Sequence, residues 1–138
     1  MSPALAHESI LVVDDQPLSI KLMKLILEGE GYHVLVAANA TEALQAVRNS
    51  KPDLILMDLY MPKHDGFTSV REIHRTAELR EVPIIAISAY GDLGIEQQLR
   101  HDAPATGFAA YLAKPFDPSE LLRIIQRLLH KKPLSLMK

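Results

Sequence analysis

The chain has 138 residues, no cysteine, and 15 basic against 17 acidic residues for a formal charge of −2. That length fits one domain of ordinary size, and 48% hydrophobic residues are enough for one substantial core. The balanced charge excludes a strongly basic nucleic-acid-binding domain, and the lack of cysteine excludes disulfides, thiolate nucleophiles and cysteine-ligated zinc.

In chain order, the opening MSPALAHES has neither the positive n-region nor the apolar run of a signal peptide. The first apolar run is Ile10–Val13, followed by a helical pattern over 17–28. There Lys21, Lys24 and Glu28 share a polar stripe, with Leu18, Leu22, Met23, Leu25 and Ile26 off it, and Gly29 and Gly31 end the helix. A second run, Val34–Ala37, precedes a helix over 40–49, which Asn39 and Glu42 begin in the manner of a capping box. The third run is Leu54–Met57, and the helix after it, over 66–75, follows Asp65 and sets Phe67, Val70 and Ile73 on one side. The fourth run is Ile84–Ile87, with a helix over 92–101 weakened at its start by Gly91 and Gly94. The fifth run, Ala109–Ala113, reads as a strand mainly from its place in the series. The last helix, 118–130, opens with Asp117-Pro118-Ser119-Glu120, which supplies a cap, a proline at the first helical position and a first-turn carboxylate.

Runs rich in Val, Ile and Leu without clean alternation are the pattern of parallel strands buried on both faces. Strand–helix alternation then predicts an α/β fold: a (βα)5, doubly wound, flavodoxin-like, five-stranded parallel sheet with helices on both faces. A single domain over 8–131 is expected, with flexible ends at 1–7 and 132–138 and no effector domain after it. No stretch is apolar for long enough to span a bilayer, so a cytoplasmic protein with no membrane partner is expected.

In such folds the binding crevice lies beyond the carboxyl ends of the strands. Asp14 and Asp15 end the first strand, Asp58 the third, Ser88 the fourth and Lys114 the fifth, so these residues are expected to converge. Taken singly, each has an ordinary reading. Asp15 would cap a helix, Asp58 would sit in a turn, Ser88 is uninformative, and Lys114 would be a solvated lysine. Jointly they are hard to explain as structure. Two carboxylates ~4–5 Å apart at an effective dielectric of about 20 repel by roughly 3–4 kcal/mol. A hard cation such as Mg²⁺ relieves that repulsion, and Lys114 and Ser88 can meet phosphate oxygens.

The segments ILVVDD, DLILMDLYMPKHDG, PIIAISAY and YLAKPF, in that order, resemble a response-regulator receiver domain of two-component signalling, in the CheY-like superfamily. The resemblance runs from about Ser9 to Leu129. It implies that Asp58 is the phosphoacceptor and that Asp14, Asp15, Asp58 and the backbone carbonyl of Tyr60 hold Mg²⁺, with Mn²⁺ as a substitute. Asp15 would be the direct ligand and Asp14 would act through water. Lys114 would bind phosphoryl oxygens, Ser88 would hydrogen-bond the phosphoryl group, and the Ala89 N–H would assist. Ser88 and Tyr111 would form the switch, and the bond before Pro115 would be cis. The implied partners are a histidine kinase or histidine phosphotransfer protein and a downstream protein, reading the face of the fourth helix, fifth strand and fifth helix in a phosphorelay. A phosphorylation-dependent homodimer is a further option, and no direct nucleic-acid contact is implied. Such a domain assists its own phosphorylation and dephosphorylation but is not an enzyme with separate substrate turnover.

The stretch between Ser88 and Lys114 is a few residues longer than the family pattern, with the surplus around 101–107. Tyr60 and Tyr90, each two residues beyond a site residue, are expected to restrict attacking water and prolong the phosphorylated state. Other classes fit less well. A module signalling without phosphorylation would not need the full acidic set. A haloacid-dehalogenase-like phosphatase would carry an aspartate where Tyr60 stands. A flavodoxin-like cofactor binder would want a Gly/Ser/Thr-rich first loop in place of Asp-Asp-Gln-Pro.

Overall fold

The computed structural model describes residues 8–59, 75, 81–88 and 108–130. Five parallel strands form one sheet: β1 (Ser9–Val13), β2 (His33–Ala37), β3 (Leu54–Asp58), β4 (Ile84–Ser88) and β5 (Ala110–Ala113). Their order is β2-β1-β3-β4-β5, the flavodoxin-like arrangement in which the chain changes direction across the sheet between β1 and β3. Three helices lie among the described residues: α1 (Pro17–Glu28), α2 (Ala40–Ser50) and α3 (Pro118–Leu129). The last is the fifth helix expected from the sequence. The helix expected over 92–101, and that over 66–75 apart from its final residue, fall outside the described residues.

Side chains alternate across the sheet. Leu11, Val13, Ile55, Met57, Ile84 and Ala86 face one way and pack with Ala43 and Val47 of α2. Ile10, Val12, Leu54, Leu56, Ile85 and Ile87 face the other way and pack with Met23 and Leu27 of α1 and Leu121 and Ile125 of α3. The central strands β3 and β4 are buried along their whole length, which explains their unbroken apolar sequences.

Local chemistry sets the helix ends. Asn39 Oδ1 accepts the Glu42 N–H at 2.9 Å, a cap worth about 1 kcal/mol. The Glu42 carboxylate reaches back to the N–H of Ala38, not of Asn39, so the capping box closes one residue early. Asp117 caps α3 by accepting both the N–H and the hydroxyl of Ser119, at 3.0 and 2.9 Å. These bonds to its charged form hold the Asp117 carboxyl below the usual carboxylate range. After α1 the turn passes through Gly31 at φ +91°, a backbone conformation that favours glycine.

The apolar residues of α1 are only partly covered. Of its apolar residues, Met23 and Leu27 are buried, whereas Leu18, Leu22 and Leu25 are 82%, 56% and 66% exposed. The apolar stripe is wider than the face the sheet covers, so part of it lies open to solvent.

Candidate functional site

Backbone ladders continue one residue past the strands and fix the residues beyond them. The Asp14 N–H donates to the Ala37 carbonyl at 3.0 Å, the Leu59 N–H to Ile87 at 2.8 Å, and the Lys114 N–H to Ser88 at 2.9 Å. Asp14, Asp58, Ser88 and Lys114 are thereby held at one edge of the sheet by hydrogen bonds that any sequence would make. Only their side chains are particular to the site.

Asp14 and Asp58 are each 3% exposed and Ser88 1% exposed, the buried polar or charged residues among those described. Between the two carboxylates stands the Lys114 ammonium, 3.3 Å from Asp58 Oδ2 and 3.8 Å from Asp14 Oδ2. Its side chain is about a third exposed, at 34%. Lys114 precedes a cis peptide bond to Pro115, as expected from the sequence. The Ser88 Oγ is buried and has no hydrogen-bond partner among the described residues. An unmatched buried hydroxyl is costly, so its position calls for a ligand or a function.

Asp15 departs from the expected three-carboxylate cluster. Asp14 Oδ1 accepts the Gln16 N–H at 2.9 Å, and this short turn leaves Asp15 at its apex, exposed. Nor does Asp15 cap α1: the N-cap is Gln16, with no side-chain bond, followed by Pro17. Among the described residues no group of three or more His, Asp or Glu side chains is gathered closely enough to hold a metal ion. The two buried carboxylates still fit Mg²⁺, which needs only one or two and fills its sphere with carbonyl and water oxygens. Both carboxylates face the Lys114 ammonium, and a divalent cation would add positive charge beside this acidic pair. Tyr60, Ala89 and Tyr90 lie outside the described residues. Tyr111 is half-buried on β5, packed on the α2 side of the core, three residues before Lys114.

Two features lie outside the expectations drawn from the sequence. Ser19, on the first turn of α1, places its Oγ 3.4 Å from the Lys114 ammonium. Beside it runs an apolar groove of about 570 Å³, lined by Leu18, Leu22, Met23, Ile26, Pro115 and Phe116, with Lys114 and Ser19 at its polar end. Both depend on how α1 meets the loop after β5, some 95 residues away in sequence. The width of the apolar stripe on α1 was the one available signal.

Comparison with known proteins agrees with this geometry. Residues 10–126 match the model of the response regulator receiver domain. A 14.6 kDa protein of Leptolyngbya boryana without assigned function is 40% identical over 123 residues, covering 89% of this chain and 91% of the relative. The polar-differentiation response regulator DivK of Brucella anthropi is 33% identical over 119 residues, covering 86% of this chain and 94% of that protein. The receiver domain of a sensor histidine kinase from Pseudomonas aeruginosa, solved with a magnesium ion coordinated in its active site cleft, superposes with a TM-score of 0.79. It is 36% identical, over 91% of this chain and all of that one. Residues held at the carboxyl edge of a β2-β1-β3-β4-β5 sheet and a family match across nearly the whole chain lead to one conclusion: this chain belongs to the response regulator receiver domains of two-component signalling.

Proposed function

We propose that the domain accepts a phosphoryl group on Asp58 from a phosphohistidine of a kinase or phosphotransfer protein. The observation that carries this reading is the buried Asp58 carboxylate 3.3 Å from the Lys114 ammonium, which also faces Asp14. A carboxylate oxygen of Asp58 attacks phosphorus, a P–O bond forms, the P–N bond breaks, and the electron pair returns to the imidazole. Lys114 follows the charge onto a phosphoryl oxygen, and the unpartnered Ser88 hydroxyl donates to another. The Ala89 N–H is assigned to assist. The product is an acyl phosphate with roughly −2 charge, by analogy with other protein phosphates. Asp14, Asp58 and the Tyr60 carbonyl would hold Mg²⁺, or Mn²⁺ in its place, Asp15 would join them by turning its exposed side chain inward, and the metal would neutralise charge on the transferring group.

Movement of Ser88 toward the phosphoryl group is the local event, and Tyr111, half-buried on the neighbouring strand, is the residue placed to respond. A partner would read the altered face around β5. Donor docking has its own surface: the groove beside α1 ends at Lys114, so a protein seated on Leu18 and Leu22 would bring its histidine to Asp58. A partner of this kind places the domain in the cytoplasm.

Intact-mass spectrometry after incubation with acetyl phosphate tests this reading. One added phosphoryl group that requires Mg²⁺ and is lost in Asp58→Ala is the expected result. No addition from acetyl phosphate or from a phosphohistidine donor would leave a binding module that signals without phosphorylation.

A further inference from the structure

We propose that Ser19 is a positioning residue for Lys114, an inference that rests on the phosphoacceptor reading of Asp58. The Lys114 ammonium has three N–H bonds to direct and no acceptor of its own. Among the described residues, three oxygens from separate segments stand near it: Asp58 Oδ2 at 3.3 Å, Ser19 Oγ at 3.4 Å and Asp14 Oδ2 at 3.8 Å. Two are the carboxylates of the site. The third is a neutral hydroxyl on the first turn of α1, and none of the roles drawn from the sequence includes it.

The hydroxyl differs from the carboxylates in what happens to it during the reaction. When a phosphoryl group joins Asp58, the charge that holds Lys114 moves outward onto new oxygens, and a metal competes for both carboxylates. Ser19 is untouched by either change. It therefore keeps one anchor on the ammonium while the other two contacts are exchanged. A lysine is otherwise a flexible four-carbon stem whose rotamers must be frozen to act. Preorganising such a charge before the reaction is where electrostatic catalysis gains.

The placement of Ser19 is itself well fixed. Pro17 sets the start of α1, and the Asp14 turn ties that start to β1. Ser19 is half-buried at the polar end of the α1 groove, so removing its hydroxyl deletes one acceptor without opening the core.

The test compares wild type, Ser19→Ala and Ser19→Thr, the last retaining a γ-hydroxyl. Initial rates of phosphorylation by acetyl phosphate are read at saturating Mg²⁺, with urea unfolding as the control for stability. A second readout needs no metal and no donor: the order of the Lys114 Nζ group, followed by NMR of the lysine ammonium in the free protein. The expected result is a rate lowered about three- to tenfold in Ser19→Ala, as for loss of one long bond to a charged group, with recovery in Ser19→Thr. The Lys114 ammonium becomes more mobile in Ser19→Ala alone, and the unfolding midpoint stays in place. A Ser19→Ala protein with wild-type rate and wild-type lysine order overturns the proposal and leaves the phosphoacceptor reading standing. A wild-type protein that takes no phosphoryl group overturns both.

Discussion

The two ends of the sheet both gather charged side chains, yet on different terms. At the amino-terminal end of the strands, Asp53 accepts the Ser9 N–H at 2.7 Å and is exposed, so its charge keeps water as well as a partner. Glu8 stands 3.7 Å from His130, whose side chain is 52% exposed. Burial together with Glu8 and Glu30 nearby holds the Tyr32 phenol above its ordinary range, which keeps it neutral. At the carboxyl-terminal end, Asp14 and Asp58 are almost fully buried and share one lysine. Among the described residues, each end leaves one buried side-chain oxygen without a hydrogen bond, Glu8 Oε1 and Ser88 Oγ. The difference therefore lies in buried charge. One end staples the fold, and the other holds an electrostatic arrangement that stability alone would not select.

Changing Lys114 should give the largest effect. Lys114→Ala is expected to lower the rate of Asp58 phosphorylation about 10²-fold, as for loss of one preorganised charge donor, measured as initial rate with acetyl phosphate. A rate within twofold of wild type would remove the lysine from the chemistry. Next comes the α1 groove. Leu22→Glu, at an exposed position, is expected to cut phosphotransfer from a protein donor about tenfold or more, because the donor's apolar contact would meet a charge. It should leave transfer from acetyl phosphate within about twofold. Equal loss with both donors would mean that the groove acts on the site and not on docking.

The comparison of the two ends can be broken directly by stability measurements. Asp53→Ala is expected to cost about 0.5–1.5 kcal/mol in urea unfolding, since it deletes a bond to the Ser9 N–H. Asp58→Asn is expected to be neutral or stabilising by up to about 1 kcal/mol, since it removes one of two buried like charges. The reverse ranking would make the buried pair an ordinary staple. The smallest effect is that of pH on the α3 cap. The folded Asp117 carboxyl is lowered, so its contribution is present above the unfolded value and is lost as pH falls through the folded one. The difference in thermal midpoint between wild type and Asp117→Ala should accordingly shrink in strongly acidic solution and stay flat near neutrality.

Much of the fold and site was legible in the sequence because sheet physics acts through local patterns. Leu54–Asp58 and Ile84–Ser88 are apolar without alternation since both faces are covered, and that marked them as buried parallel strands, though not their order in the sheet. The rule that sites lie beyond carboxyl strand ends then brought Asp14, Asp58, Ser88 and Lys114 together from four separate segments. The illegible part depended on how helices sit on the sheet. The spacing of Leu18, Leu22 and Leu25 is the same whether they are covered or bare, so their exposure emerged only from the packing of α1. Ser19 meets Lys114 across the fold, and no local pattern announces that. The grouping of Asp14 with Asp15 hid a difference that a two-residue turn decides: one carboxylate is buried, the other faces solvent.

The most direct test of the central claim is to locate the phosphoryl group. After phosphorylation with Mg²⁺ present, borohydride reduction converts an aspartyl phosphate to homoserine, and tandem mass spectrometry reads the position. Homoserine at residue 58, with Asp14, Asp15 and Asp53 unmodified, is the expected result. Phosphorylation that maps to any other residue, or reduction that leaves Asp58 intact while the phosphoryl group is present, would contradict the account.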